Sequence, residues 1–210
     1  MFIDRKDAAE QLAVALESYK GKEVIVLGIP RGGAETAYYI AQYLQAPLSL
    51  LIARKLAHPA DPEYAIGALA EDGSRYLNPN VVHPPGPAVL DKIVQDQQQE
   101  IQRRIQQLRD GQPLPSLKDK VVILADDGIA TGSTLFAAIE LCKKQHPKKL
   151  IVAAPVAGGE IRLRLKNLVD EVVILDTPPG FYAVSQGYES FTQLSDEEAR
   201  SFFLQANKKS

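Results

Sequence analysis

Val121-Val122-Ile123-Leu124-Ala125-Asp126-Asp127-Gly128-Ile129-Ala130-Thr131-Gly132-Ser133-Thr134-Leu135 is the stretch on which the reading of this chain turns. It begins as an unbroken apolar run, the pattern of a strand buried on both faces of a parallel sheet. Two adjacent carboxylates follow, then a short loop of Gly, Thr and Ser, and Leu135 to Leu141 then reads as the start of a helix. In open α/β sheets ligands bind beyond the carboxyl ends of the strands, which puts Asp126 and Asp127 where a ligand sits. Gly128 and Gly132 let main-chain N–H groups approach an anion without interference from a Cβ atom. Thr131, Ser133 and Thr134 add hydroxyl donors, and the helix start adds unpaired N–H groups and the positive end of its dipole. Phosphate donors beside two acids suit a ligand with a phosphate at one end and a vicinal diol nearby, as in a ribose 5-phosphate. The competing reading is an ordinary strand–turn–helix whose acids cap the helix. A P-loop does not fit, because no Gly-Lys-Ser/Thr closes the loop.

A second strand–loop–helix unit lies upstream. Glu23 to Ile29 reads as a buried strand, Pro30-Arg31-Gly32-Gly33 as a glycine turn carrying a cation, and Ala34 to Leu44 as a helix. An arginine and two glycines at a strand's carboxyl end make another anion site, with a tight turn and a solvated Arg31 as the plainer alternative. Pro47 to Ala53 reads as the next strand, ending in Arg54-Lys55 and running into a loop that holds His58. Ala65 to Ala70 and Arg75 to Val82 read as an antiparallel hairpin. Ala88 to Asp110 reads as a polar helix with Val94, Ile101, Ile105 and Leu108 on one face. Lys149 to Val156 and Glu171 to Asp176 read as further core strands, with a short helix between them. Ser195 with Glu198 marks the start of a last helix, and Asp4 is a plausible cap for an N-terminal helix over about Asp7 to Tyr19. Strands alternating with helices imply an α/β fold with a mostly parallel, doubly wound sheet. The expected organisation is one domain over residues 1–210, with a core of about 21–177 and a small hood from 1–20 and 178–210.

The motif Asp126-Asp127-Gly128-Ile129-Ala130-Thr131-Gly132-Ser133-Thr134 resembles the PRPP-binding motif of type I phosphoribosyltransferases. The resemblance extends over nearly the whole chain: an Asp-Arg near the N-terminus, Ile29-Pro30-Arg31-Gly32-Gly33, Arg54-Lys55-Leu56, and an aromatic tail. It is similar to stand-alone members of that family with unassigned base specificity. The resemblance implies that Asp126 and Asp127 hold the ribose hydroxyls and that Gly128, Ile129, Ala130, Thr131, Gly132, Ser133 and Thr134 hold the 5-phosphate. It implies that Arg31, Gly32 and Gly33 hold the pyrophosphate, with a non-proline cis peptide within Pro30 to Gly32. Arg54 and Lys55 then neutralise the leaving pyrophosphate, often in a neighbouring subunit, and Mg²⁺ is bound mainly through PRPP, with no metal site of the protein's own. Phe181 stacks on the base, with Tyr182 beside it, or these aromatics pack a lid or a dimer contact. Hypoxanthine-type enzymes carry an aspartate where this chain has Ala130, so a 6-oxopurine handled by that base is disfavoured and the general base is unassigned. The implied activity is transfer of 5-phosphoribose to a nitrogenous base in nucleotide salvage, in a homodimer or higher homo-oligomer. The alternative is a PRPP- or nucleotide-binding regulator with little turnover.

Composition bounds these expectations. The chain is 45% hydrophobic and 24% charged with a net charge of −2, enough for a substantial core and without a global electrostatic reason to expect nucleic acid or an anionic membrane surface. A single cysteine, Cys142, cannot form an internal disulfide and reads as a packed small residue in a reducing compartment. No signal pattern or bilayer-length apolar run is visible, so the expected location is the cytoplasm.

Overall fold

The computed structural model describes residues 1–208; Lys209 and Ser210, at the end of the expected hood, lie outside the described residues. In chain order the helices are α1 (Arg5–Ala15), α2 (Gly32–Leu44), α3 (Pro87–Arg109), α4 (Ser133–Lys144), α5 (Gly159–Leu165) and α6 (Asp196–Ala206). The strands are β1 (Val24–Gly28), β2 (Leu48–Leu50), β3 (Ala53–His58), β4 (Asp61–Ala70), β5 (Arg75–Leu77), β6 (Val121–Ala125), β7 (Lys149–Val156) and β8 (Glu171–Asp176).

Five strands form a parallel sheet in the order β2-β1-β6-β7-β8. The apolar run Val121–Ala125 is its middle strand, fully buried, with Val121 opposite Val24 on one side and Lys149 on the other. Alternation in the pleat sends Val24, Val26, Ile123 and Ala125 to the face covered by α1 and α2. Ile25, Leu27, Val122 and Leu124 go to the opposite face, covered by α4 and α5. Burial on both faces explains why these strands show continuous rather than alternating apolar character. Among the described residues no helix is long and apolar enough to cross a membrane.

The region after β2 differs from the sequence expectation. The strand expected over Pro47–Ala53 is only Leu48–Leu50, and Ala53 starts a separate antiparallel sheet in the order β3-β4-β5. Arg54 and Lys55 therefore lie inside a strand and not at the end of one. Leu51 and Ile52, both buried, carry the chain from one sheet to the other. The expected hairpin is present as β4 and β5, but its second strand stops at Leu77. The N-terminal helix ends at Ala15 and passes into a short 3-10 turn over Glu17–Tyr19.

α3 covers the small sheet through Val94, Ile101 and Leu108, which pack with Leu50, Ile52, Leu56 and Leu69. A buried ion pair pins this junction. Arg109 Nη2 donates to Glu71, its Nη1 donates to the Leu50 carbonyl at 2.8 Å, and Glu71 Oε1 accepts the Ile52 amide at 3.0 Å. Removing one member strands a buried charge, so Glu71→Ala is expected to cost about 3–5 kcal/mol in urea unfolding. A loss below about 1 kcal/mol would show that the pair does not hold the two sheets together.

Candidate active site

The two glycine loops of the sequence meet at the acid pair. β1 and β6 are neighbours with Gly28 opposite Ala125, so Pro30–Gly33 and Asp126–Gly132 leave adjacent strand ends. The Ile29 amide donates to the Ala125 carbonyl at 3.1 Å, which joins the two loops at their roots. The Pro30–Arg31 peptide is cis, where the resemblance placed one. Gly32 then opens α2 directly against Asp127: a Cβ there would lie 1.7 Å from Asp127 Oδ2 and 2.4 Å from Cγ. At Gly33 it would lie 2.8 Å from the Ala125 carbonyl oxygen and 3.0 Å from Asp126 Oδ1. Only residues without side chains let the loop lie this close to two carboxylates.

The cradle is anchored at one end and open at the other. Ile129 is buried, donates its amide to Val156 at 2.9 Å and accepts from the Gly158 amide at 3.3 Å. It is the loop's anchor, and its N–H group is already used. Gly132 adopts φ +71°, which turns the chain into α4, and no side chain caps that helix. Among the described residues the amides of Thr131, Gly132, Ser133 and Thr134 have no protein acceptor. Four such donors at one helix start are the usual complement of an anion.

Electrostatics at the acids are set by burial and by a residue that sequence reasoning left out of the site. Burial, and then the charge of Asp127, push Asp126 well above the ordinary carboxylate range. Burial also raises Asp127, opposed by Arg5, whose Nε donates to Asp127 Oδ2 at 2.7 Å. Asp126 Oδ1 accepts the Asp127 amide at 2.9 Å. Arg5 comes from the first turn of α1, whose start is fixed by Asp4 accepting the Asp7 amide. The sequence signal was present, since the Asp4 cap predicts a helix starting here, but the partner lies 122 positions away. Tyr188, expected from sequence as a neighbour of Phe181 by the base, donates its hydroxyl to the Asp127 carbonyl.

Lys55 and Arg54 separate because neighbouring side chains in a strand point to opposite faces. Lys55 faces a cleft of about 410 Å³ shared with Thr131, Ser133, Tyr76 and Arg164, and its Nζ lies 3.7 Å from Glu63. Arg54 turns towards α3, where its Nε donates to Gln97 at 3.1 Å, and burial lowers its pKa. Thus only one of the two adjacent cations lines the cleft beside the cradle. Arg164 is held by stacking over Phe136, 4.3 Å from the ring centroid, and by donating to the Tyr76 hydroxyl at 2.9 Å.

The remaining candidates are placed as follows. Phe181 is half-buried against the cluster of Phe2, Val156 and Tyr188, on the side where Gly158 faces its ring. Tyr182 is 79% exposed. His58 is engaged locally, its Nδ1 accepting the Ala60 amide at 3.2 Å and its Nε2 lying 3.1 Å from the His83 carbonyl. Cys142 is fully buried in α4, which pushes its thiol up to about 12 and leaves it a packed small residue.

Comparisons with known proteins bear on the family and the fold. The chain matches the phosphoribosyl transferase domain family over residues 3–185. It is 43% identical over 210 residues to proteins of two Mycobacterium tuberculosis strains whose names carry a provisional phosphoribosyl transferase description. That match takes in 99% of this chain but 47% of each relative, so the chain spans about half the length of the curated relatives it matches. The crystal structure of TT1426 from Thermus thermophilus superposes with a TM-score of 0.81 at 34% identity, covering 97% of this chain and 98% of that one. A purine phosphoribosyltransferase from Pyrococcus horikoshii shares the fold, with a TM-score of 0.50 at 19% identity over 91% of this chain and 92% of that one. With the family match over residues 3–185 and two glycine loops closing on one acid pair, the chain belongs to the phosphoribosyl transferase domain family.

Proposed function

We propose that this domain transfers 5-phosphoribose from PRPP to a ring nitrogen of a small heterocycle, releasing pyrophosphate. The observation that carries the reading is the convergence of Gly32, Gly33 and the uncapped start of α4 on Asp126 and Asp127. A phosphate at the amides of Thr131 to Thr134 fixes one end of the ligand, and the two acids take the 2- and 3-hydroxyls. Arg31, Gly32 and Gly33 receive the pyrophosphate, with Lys55 lining the cleft on the cradle's flank. The anomeric C–O bond breaks with its electron pair leaving on pyrophosphate, a C–N bond forms, and the acceptor nitrogen gives up its proton to water. Asp126 and Asp127 orient the sugar and favour the positive charge that builds on its ring in the transition state. Binding energy from the distant phosphate is used to position the reacting carbon.

Mg²⁺ fits this site as a companion of the ligand. The diphosphate's own oxygens would hold the ion, with the carboxylates of Asp126 and Asp127 and the turn at Gly32 and Gly33 beside it. When bound, the ion offsets charge on the leaving group. Phe181 is the aromatic proposed to meet the base, and a homodimer is the proposed assembly. The test is pyrophosphate release from Mg²⁺-PRPP across a panel of bases and related heterocycles, with calorimetry of PRPP binding alongside. Base-dependent release is the expected result. Binding without release would make the domain a PRPP sensor, and no binding with Mg²⁺ present would overturn both readings.

A further inference from the structure

Arg5 is an arginine with 6% of its surface exposed, and its contacts reach three parts of the molecule. Its Nε donates to Asp127 Oδ2 at 2.7 Å, and its Nη1 donates to the Thr192 carbonyl at 2.6 Å. The same Nη1 lies 3.9 Å from Glu35 on α2, and the guanidinium carbon sits 4.1 Å from the centroid of the Phe191 ring. The fork is held at its edge by two acceptors and on its face by an aromatic, so it has one orientation. Thr192 and Phe191 belong to the C-terminal segment, which pairs with the N-terminus where the Phe2 amide donates to the Gly187 carbonyl at 2.8 Å. Tyr188, from this same segment, grips the main chain of Asp127. The hood therefore holds one acid twice, by its carbonyl and by its carboxylate.

We propose that Arg5 is the positioning residue of the sugar-binding acid: it fixes Asp127 through Oδ2, leaves Oδ1 to receive a ribose hydroxyl, and ties that oxygen's place to closure of the two-ended hood. This rests on the reading of Asp127 as a ribose ligand. Oδ2 is taken by Arg5, and the backbone of Gly32 closes against the whole carboxylate, since a Cβ there would lie 1.7 Å from Oδ2 and 3.0 Å from Oδ1. The charges facing Arg5 are Asp127 and Asp126 from the β6 end, Glu35 from α2, Asp4 from the chain start and Glu198 from α6, with Tyr188 nearby. Arg5 is thus a cation set among acids, and it works against the burial that favours a protonated Asp127. Removing it raises the pH below which Asp127 takes up a proton, so the acid limb of the activity profile moves to higher pH.

The test compares Arg5→Gln and Arg5→Lys with the unaltered protein, using Mg²⁺-PRPP as the probe. Arg5→Gln keeps a hydrogen-bond donor but loses the charge; KM for PRPP should rise about 10-fold and the acid limb should move to higher pH. Arg5→Lys keeps the charge but cannot fork to both Asp127 and Thr192, so its acid limb stays in place while KM remains raised. A folded Arg5→Gln protein with unchanged KM and unchanged acid limb, altered only in Tm, would overturn the proposal and leave Arg5 a brace for the hood. If Arg5→Gln does not fold, Arg5→Lys decides: a KM equal to that of the parent overturns the proposal, and a raised KM sustains it. Failure of the parent protein to bind PRPP would sink the functional reading itself, an outcome distinct from binding that Arg5 does not influence.

Discussion

Replacing Asp127 by asparagine is expected to lower kcat/KM by about 10³-fold, near 4 kcal/mol of transition-state stabilisation, while the protein stays folded. Asparagine keeps the shape and one acceptor oxygen, so Arg5 still has a partner, and Glu35 at 3.9 Å supplies residual counter-charge. The substitution also relieves the repulsion between Asp126 and Asp127 and the burial penalty that raises both. Stability therefore changes little, and the loss falls on the developing charge of the sugar. Steady-state kinetics with a thermal melt of the same preparation checks this. Near-normal turnover would remove Asp127 from the chemistry.

Gly32→Ala carries a similar penalty by a different route. On helix propensity alone alanine at the first position of α2 would help by up to about 1 kcal/mol. Here the added methyl would lie 1.7 Å from Asp127 Oδ2, on a short side chain that Arg5 holds in place. Either the carboxylate swings off Arg5 or the helix start shifts, and both misplace the acid. The expected result is a loss of PRPP affinity of about 10²–10³-fold and an overpacking cost of about 1–3 kcal/mol, read by calorimetry and urea unfolding. Gly158→Ala is the control: the nearest neighbour of its new methyl is Phe181 Cδ1 at 3.9 Å, an ordinary contact. Equal behaviour of the two variants would refute the steric argument.

What the sequence disclosed followed from how local each signal was. β8 spans Glu171–Asp176 and the capping box of α6 joins Ser195 to Glu198, as their local patterns predict, because strand period and cap chemistry are written within a few residues. The middle strand and its loop were legible for the same reason. β3 was not, since the turn from one sheet to the other runs through Leu51-Ile52, which are as apolar as the strand before them. Reading 47–53 as one strand put Arg54 and Lys55 together at its end, whereas the pleat of β3 sends one to α3 and the other to the cleft. Arg5 escaped assignment because nothing near it in the chain marks its partner. Its role comes from Asp127, Thr192 and Phe191, which are brought to it by packing.

The pairing of Phe2 with Tyr188 bears on when this edge of the molecule comes into being. A nascent chain can lay down β1, β6 and their helices from contacts among its earlier residues, but the cover over Asp127 awaits Thr192, 187 positions after Arg5. Closing so large a loop is entropically costly, and contacts of this separation form late. The scaffold can thus be complete while the pocket's rim is still missing, and local opening of the contact between Phe2 and Tyr188 would loosen the cover over Asp127 without melting the sheet.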